Sequence, residues 1–279
     1  MSGVDTAEGR TPTLRVISLG AGVQSTVLAL MAARGTLGPM PDAAIFADTR
    51  AEPAAVYAHL DWLESKLNFP VYRVTQGSLT DDLILGTKDE WASTPPLFTL
   101  SSEGQRGMLR RQCTEDYKIA PIKRKLRELL GAPRTGKVRR GLVEEWIGIS
   151  ADEATRMKPS RDDWIYHRWP LIDLKMTRAD CLAWAEQHGY PKPPRSACTF
   201  CPYHSDEEWR LVREDPQEWK GVIKLDRLIR RGVKGTTPGT ELFLHASRRP
   251  IEEVDFDKGL DGKREANQFE NECEGMCGV

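Results

Sequence analysis

The stretch that decides the fold is residues 14–35, which read LRVISLGAGVQSTVLALMAARG. Residues 14–17 are apolar and rich in β-branched side chains, which is typical of a buried strand. A loop with two glycines follows at residues 18–25, and residues 26–33 have the composition of a buried helix that Gly35 ends. A strand, a glycine-containing turn and a helix form an arrangement that binds phosphate, because loop amides and a helix N-terminus attract negative charge.

Short apolar segments recur along the chain with the spacing of an α/β fold. Strands are predicted at residues 43–47, 71–74 and 146–149, and Pro53 opens a helix between the first two of them. This alternation implies a doubly wound, mostly parallel sheet with right-handed crossovers. Residues 77–112 are rich in turn-forming residues and are predicted to be a long functional or mobile loop.

The composition limits the class of protein. The 279 residues carry a net charge of −1, so the chain has no overall positive field of the kind that coats nucleic acid, although a local patch is compatible with it. No apolar run is long enough for a bilayer and the N-terminus lacks a signal-peptide core, so we expect a cytoplasmic protein without membrane contact. Its six cysteines are then more suited to metal binding or catalysis than to disulfides.

We predict four parts along the chain. They are a flexible N-terminus at 1–13, a nucleotide-binding α/β domain at 14–205, a helical C-terminal part at 206–254 and a mobile, cysteine-containing tail at 255–279. Residues 121–131 form a basic amphipathic helix, whose charges are either a solvated face or a patch that faces an anion or RNA.

A Cys-x-x-Cys turn is the strongest single motif. Cys198 and Cys201 can place two thiolates on one metal, and Cys113, which also lies in a loop, is the expected third ligand. Three cysteines with one open iron suit a [4Fe-4S] cluster, whereas a fourth ligand from His204 suits structural Zn2+. A redox dithiol remains a further interpretation of the turn.

Residues 18–25, SLGAGVQS, resemble the pyrophosphate loop of the PP-loop ATP pyrophosphatases, SGGxDS, with Gln24 in the usual place of Asp and one residue inserted. A second resemblance is to the phosphoadenosine phosphosulfate (PAPS) reductase family. It is carried by the strand that ends in Gly-Ile, by the acidic residue and Arg156 that follow this strand, and by the later Trp-Pro-Leu run at 169–171. The resemblance implies that ATP with Mg2+, or a sulfonucleotide, binds at one site. The implied site residues are Ser18, Gly20, Gly22, Gln24, Ser25, Thr26, Asp48 and Glu153, with Arg156 on a phosphate or sulfate group. The alternative role is a turn cap for Asp48 and a surface ion pair for Arg156.

The C-terminus carries Cys273 and Cys277 in a polar, glycine-containing segment. Residues 272–275, ECEG, resemble loosely the Glu-Cys-Gly-Leu-His tail of PAPS reductases, whose cysteine attacks sulfur. The resemblance implies that these two thiols are catalytic. Binding a second metal or completing the cluster are the alternatives.

Together these features predict a PAPS-reductase-like PP-loop sulfurtransferase. It would adenylate a nucleobase or small acceptor and then thiolate it, with tRNA or DNA among the acceptors and a sulfur donor or thiol reductant protein as partner. One alternative is a PAPS or APS reductase that releases sulfite, and another is a zinc-stabilised nucleotide-binding module without catalysis. The chain could also form a homodimer.

Overall fold

The computed structural model describes residues 11–88, 90, 92–138 and 142–257. Cys273 and Cys277, and with them the predicted catalytic tail, lie outside the described residues.

The described chain alternates strands and helices through most of its length. In chain order the elements are β1 (Leu14–Leu19), α1 (Val23–Ala33), β2 (Ala43–Asp48), α2 (Ala54–Glu64), β3 (Val71–Thr75), α3 (Leu79–Gly86), β4 (Phe98–Leu100), β5 (Arg106–Met108), a π-helical turn (Glu115–Ile119) that runs into α4 (Ala120–Leu129), β6 (Val143–Ile147), a 3-10 segment (Ala151–Arg156), β7 (Ile165–Arg168), α5 (Pro170–Asp173), α6 (Arg178–Gln187), α7 (Asp206–Glu214), α8 (Pro216–Ile229), β8 (Glu241–Phe243) and a 3-10 turn (Ile251–Glu253).

A five-stranded sheet in the order β3-β2-β1-β6-β7 forms the centre of the molecule, and every pair in it is parallel. Val16 on β1 lies opposite Ala43 on one side and Glu145 on the other. The strand order therefore reverses at β1, and in such sheets ligands bind beyond the carboxyl ends of the strands at the reversal. The predicted α/β class with a parallel sheet is confirmed.

Helices cover both faces of this sheet. α1, α2, α5 and α6 bury one face through residues such as Leu28, Leu60 and Cys181, whereas α4 covers the other through Ile122 and Leu126. Burial on both faces explains why the strands of the sheet are nearly continuous apolar runs rather than alternating ones.

A second apolar core lies under the antiparallel sheet β5-β4-β8 and the helices α3, α7 and α8. It joins Ala51 and side chains from residues 79–117 to side chains from residues 198–256, with Trp209 fully buried among them. The cores thus divide the chain differently from the boundary predicted at residue 205, because an internal segment packs with the C-terminal helices.

Two predictions from the sequence are wrong: the start of α1 and the long loop at residues 77–112. α1 begins at Val23 rather than at Thr26, because Gln24 and Ser25, which look like loop residues, are fully buried in its first turn. Residues 77–112 are not one long loop: they contain α3, β4 and β5, and β4 pairs with the distant β8.

Three other local features agree with the residues that form them. The C-terminal helices break at Pro216, Thr177 and Asp180 form a capping box at the start of α6, and Cys181 is a fully buried core residue. No helix within the described part of the chain combines the length and the apolar character that crossing a bilayer requires.

Candidate active site

The loop between β1 and α1 is closed by its own serine. Gly20 N donates to Ser25 Oγ at 3.2 Å, and Ser25 Oγ donates to the carbonyl oxygen of Gly22 at 3.5 Å. Ala21 adopts a left-handed backbone with φ of 58°, which turns the chain into the helix. Gly22, the N-cap of α1, offers no side-chain hydrogen bond and the first turn has no acidic residue, so the positive end of the helix dipole is not countered from its own first turn.

The chain after β6 lies directly against this loop. A Cβ atom on Gly148 would lie 2.8 Å from Ser25 N and 2.9 Å from Ser25 Cα, so the backbones meet at a distance that only glycine permits. Ser150 Oγ also accepts a hydrogen bond from Gln24 Nε2 at 3.4 Å. The segments that follow β1 and β6 are therefore joined where the strand order reverses.

The amide of Gln24 links three elements. Its Oε1 atom accepts a hydrogen bond from Arg178 Nη1 at 2.9 Å, and Arg178 N in turn donates to Asp152 Oδ1 at 3.1 Å. Gln24 is fully buried. The residue that departs from the family pattern is thus a structural junction between α1, the segment after β6 and α6.

Two of the predicted loop residues face elsewhere. Thr26 Oγ1 lies 3.0 Å from His59 Nε2 on α2, and Thr26 N closes the first helical turn onto Gly22 O. Burial lowers the pKa of His59 to about 4, which keeps its imidazole neutral at physiological pH. Ser18 Oγ is buried beside the Glu145 carboxyl group and forms no hydrogen bond of standard geometry.

Asp48 ends β2 and organises the turn after it. Asp48 Oδ1 accepts from Arg50 N and from Tyr57 Oη, each at 2.7 Å. Burial and this hydrogen bond raise the pKa of Tyr57. The turn-cap role that the sequence offers as the alternative for Asp48 is therefore present, at the carboxyl edge of the parallel sheet.

Glu153 and Arg156 form one buried ion pair in the 3-10 segment after β6. Arg156 Nη1 lies 2.7 Å from Glu153 Oε2, and the two side chains are 11% and 1% exposed. The structure brings the two predicted residues together, and the pair is buried rather than on the surface.

The three predicted metal ligands line one pocket of about 420 Å3, part of which is open to solvent. Residues from five separate parts of the chain surround it: Thr49, Leu79, Pro95, Pro96, Arg111, Cys113, Lys118, Cys198, Phe200, Cys201 and Tyr203. Cys113, Cys198 and Cys201 form no disulfide bond within the described part of the chain. Because Thr49 directly follows β2, the pocket adjoins the carboxyl edge of the parallel sheet.

A buried ion pair lies beneath Cys198. Lys118 Nζ lies 3.5 Å from Glu52 Oε1, with side chains 5% and 0% exposed, and Ser196 Oγ donates to Glu52 Oε2 at 3.2 Å. Burial and the charge of Glu52 raise the pKa of Cys198 well above its usual value, whereas Lys118 lowers it. Cys198 Sγ also lies 3.3 Å from Thr49 Oγ1.

His204 supports the Cys-x-x-Cys turn from behind. Its Nε2 atom lies 2.9 Å from the carbonyl oxygen of Cys198, and its Nδ1 atom lies 3.8 Å from Glu208 Oε2. Burial lowers the pKa of His204 to about 3, so the neutral ring donates from Nε2 to the carbonyl. This geometry uses His204 to fix the turn rather than as a fourth metal ligand.

The cysteine donors bear on two candidate metal groups, a [4Fe-4S] cluster and Zn2+. Within the described residues, no three side chains from His, Cys, Asp and Glu are gathered closely enough to hold a metal ion. Cys113, Cys198 and Cys201 nevertheless face one pocket, and thiolates are the ligands that iron–sulfur clusters take. Thiolates are ligands of Zn2+ as well, so the residue types at this pocket suit either group.

Sequence reasoning did not single out Lys118, Glu52 or Arg178. Lys118 precedes the basic helix predicted at residues 121–131, and nothing local marks Lys118, Glu52 or Arg178 as buried or close to a site. Their positions follow from contacts between elements far apart in the chain.

The charges of α4 are largely engaged within the molecule. Lys123 pairs with Asp162 at 2.7 Å, and Lys125 pairs with Glu128 at 2.7 Å. Arg127 donates to two backbone carbonyls. These contacts favour the surface-face interpretation of the basic helix over the RNA-facing one.

Comparison of the chain with models of protein families gives no match. A search of curated proteins likewise returns no relative. The assignment of function therefore depends on the geometry described above and on the motifs.

Proposed function

We propose that this chain is a PP-loop sulfurtransferase that binds ATP at the loop between β1 and α1 and carries out sulfur transfer in the adjoining cysteine pocket. The observation that carries the proposal is the convergence of Cys113, Cys198 and Cys201 on one pocket next to the carboxyl edge of the parallel sheet. Nothing in the packing of a simple binding module requires three cysteine side chains and two cations, Arg111 and Lys118, around one opening.

The β1–α1 loop and the cysteine pocket would serve different steps of the reaction. The loop amides near Gly22 and the start of α1 suit the phosphates of ATP, and the turn at Asp48 suits its nucleoside. Attack of an acceptor oxygen on the α-phosphate releases pyrophosphate and leaves an adenylylated acceptor. A sulfur nucleophile from a donor then displaces AMP, so that oxygen leaves with AMP and sulfur remains on the acceptor.

The cysteine pocket suits the second half of this reaction. Cys113, Cys198 and Cys201 would be the residues that hold a [4Fe-4S] cluster, and such a cluster would supply sulfur-binding chemistry at this pocket. Arg111 lines the same opening, where its positive charge favours an anionic sulfur species, whereas the charge of Lys118 is paired with Glu52. Pro95, Phe200 and Tyr203 give the pocket apolar walls that suit a planar acceptor.

The test is anaerobic purification followed by iron and sulfide analysis and an absorption spectrum. Cys113→Ala, Cys198→Ala and Cys201→Ala should each lose iron and the visible charge-transfer band. Cys181→Ala is the matched control, because Cys181 is fully buried in the core under α6 and should leave both unchanged. Stoichiometric zinc without iron in the wild-type protein would contradict the cluster.

The reaction is tested by product analysis. The sulfurtransferase should convert ATP to AMP and pyrophosphate only when acceptor and sulfur donor are present. A sulfonucleotide reductase would need no ATP and would release sulfite from PAPS or APS. Deleting residues 272–279 tests the predicted role of Cys273 and Cys277, since turnover should stop while nucleotide and metal binding remain.

A further inference from the structure

The edge strand β5 carries a stripe of exposed, positively charged side chains. β5 lies at the end of the order β5-β4-β8, and all of its residues are exposed. The pairing continues past the strand, because Leu109 N donates to a backbone carbonyl just before β4 at 2.8 Å. Residues 106–110 are thus extended, so side chains two residues apart lie on one face. Leu109 packs into the second core, and the side chains of the opposite face are Arg106, Met108 and Arg110.

The arginines of this stripe differ from the basic residues of α4, whose charges are engaged within the molecule. The guanidinium groups of Arg106 and Arg110 form no ion pair within the described part of the chain, and both side chains are exposed. Met108 between them is 44% exposed. Residues 97–112 hold three arginines and one acidic residue, Glu103, so this segment is positive although the whole chain has a net charge of −1.

The stripe leads into the cysteine pocket. After Arg110 the chain turns toward the pocket wall, where Cys113 N donates to Thr94 O at 3.3 Å. Arg111 lines the pocket, and its guanidinium carbon lies 5.7 Å from the ring centre of Tyr203, which is also a wall residue. A guanidinium and an aromatic ring at one opening are groups on which a nucleobase stacks.

We infer that residues 106–111, the β5 surface, bind a single-stranded nucleic acid and guide it to the cysteine pocket. Arg106 and Arg110 contact phosphodiester groups, and one base stacks at Arg111 and Tyr203. The inference rests on the proposed function for the role of the pocket, and it deepens that function by making the acceptor a base within a nucleic acid. A small acceptor would fill the pocket alone and would need no positive charge along β5.

Fluorescence anisotropy with the purified full chain tests the β5 surface. The probes are labelled single-stranded DNA, single-stranded RNA and duplex DNA, and wild type should bind the single strands more tightly than the duplex. Arg106→Gln combined with Arg110→Gln should weaken single-strand binding at least about tenfold, because two charge-assisted contacts are lost. The slope of log affinity against log salt should become shallower by about 1.4, since each phosphate contact on a single strand contributes about 0.7. The DNA and RNA probes show which of the two strands is preferred.

Arg34→Gln combined with Lys66→Gln is the matched control. These two exposed cations follow the C-terminal ends of α1 and α2, away from the carboxyl edge of the sheet, and their removal should leave the affinity unchanged. Equal losses in the control and in the β5 variant would overturn the inference. Charges on an edge strand also prevent its pairing with another chain. If the β5 variant self-associates in size-exclusion chromatography but binds single strands with wild-type affinity, its arginines only protect the edge and the inference is wrong.

The outcomes separate this inference from the proposed function. If wild type holds iron and binds ATP but binds no single strand, the β5 surface is wrong and a small acceptor remains for the sulfurtransferase. If single strands bind through Arg106 and Arg110 but the protein holds no iron and binds no ATP, the sulfurtransferase is wrong and the nucleic-acid surface stands.

Discussion

Glu145 Oε2 on β6 lies 3.6 Å from His167 Nε2 on β7, and the two side chains are 0% and 5% exposed. His167 Nδ1 lies 2.8 Å from the carbonyl oxygen of Lys158, which assigns its proton to Nδ1 and leaves Nε2 facing the carboxyl group. Burial raises the pKa of Glu145 to about 8, opposed by the charge of Lys123, and burial also lowers the pKa of His167. The pair at neutral pH is therefore a carboxylic acid beside a neutral imidazole.

Glu145 should make the fold less stable as the pH rises. The carboxyl group ionises near pH 4.5 in the unfolded chain but only near pH 8 in the folded one, so its contribution is lost between these values. The loss is at most about 1.4 kcal/mol per pH unit. Urea unfolding of wild type and Glu145→Gln is measured from pH 5 to pH 8 in steps of about one pH unit. The free energy of unfolding should fall with rising pH in wild type, and this fall should be absent in Glu145→Gln.

The exposed Glu214→Gln is the control for the Glu145 measurement and should follow wild type. Equal pH slopes for wild type and Glu145→Gln would mean that Glu145 ionises alike in the folded and unfolded states.

His204 should limit stability in acid. Its pKa is lowered from 6.5 to about 3, so its contribution is complete above pH 6.5 and is lost as the pH falls toward the folded pKa. The free energy of unfolding should drop by up to about 1.4 kcal/mol per pH unit from this group alone. His204→Gln should flatten the decline, whereas the exposed His188→Gln should not. If the free energy of unfolding of His204→Gln declines in acid as steeply as that of wild type, His204 is not a cause of the decline.

Gly148 should tolerate no side chain. Gly148→Ala places a Cβ 2.8 Å from Ser25 N, so the start of α1 must move and nucleotide affinity should fall with the melting temperature. Gly221→Ala in α8 is the matched change, because nothing lies within 4 Å of its added Cβ. That variant should gain about 0.5–1 kcal/mol from helix propensity. Wild-type ATP binding in Gly148→Ala would show that the contact is not needed.

Lys118 should act on both stability and thiol chemistry. Lys118→Met leaves Glu52 buried without its charge partner, which should cost about 3–5 kcal/mol, and adding Glu52→Gln should recover part of it. Removal of the ammonium also raises the pKa of Cys198 further, so alkylation of Cys198 in the metal-free protein should slow. The exposed Lys220→Met is the control. An unchanged alkylation rate would show that Lys118 does not affect the ionisation of Cys198.

The sequence by itself determined the local structure. Apolar β-branched runs predicted β1, β2 and β3, because strand burial shows in the pattern of neighbouring residues. Thr177 and Asp180 likewise cap α6 through contacts within four consecutive residues. The glycine-containing turn at residues 18–25 was found in the same way, although buried polar residues hid the true start of α1.

Tertiary structure alone decided what surrounds the candidate site. From the sequence, Cys113 could be grouped with Cys198 and Cys201 only because all three residues are suitable metal ligands. The fold places the three side chains around one pocket. The contacts of Arg178 with Gln24 and of Lys118 with Glu52 join segments far apart in the chain. Strand order and the packing of the second core bring these residues into contact. Because such contacts depend on elements that are remote in sequence, no local sequence pattern predicts them.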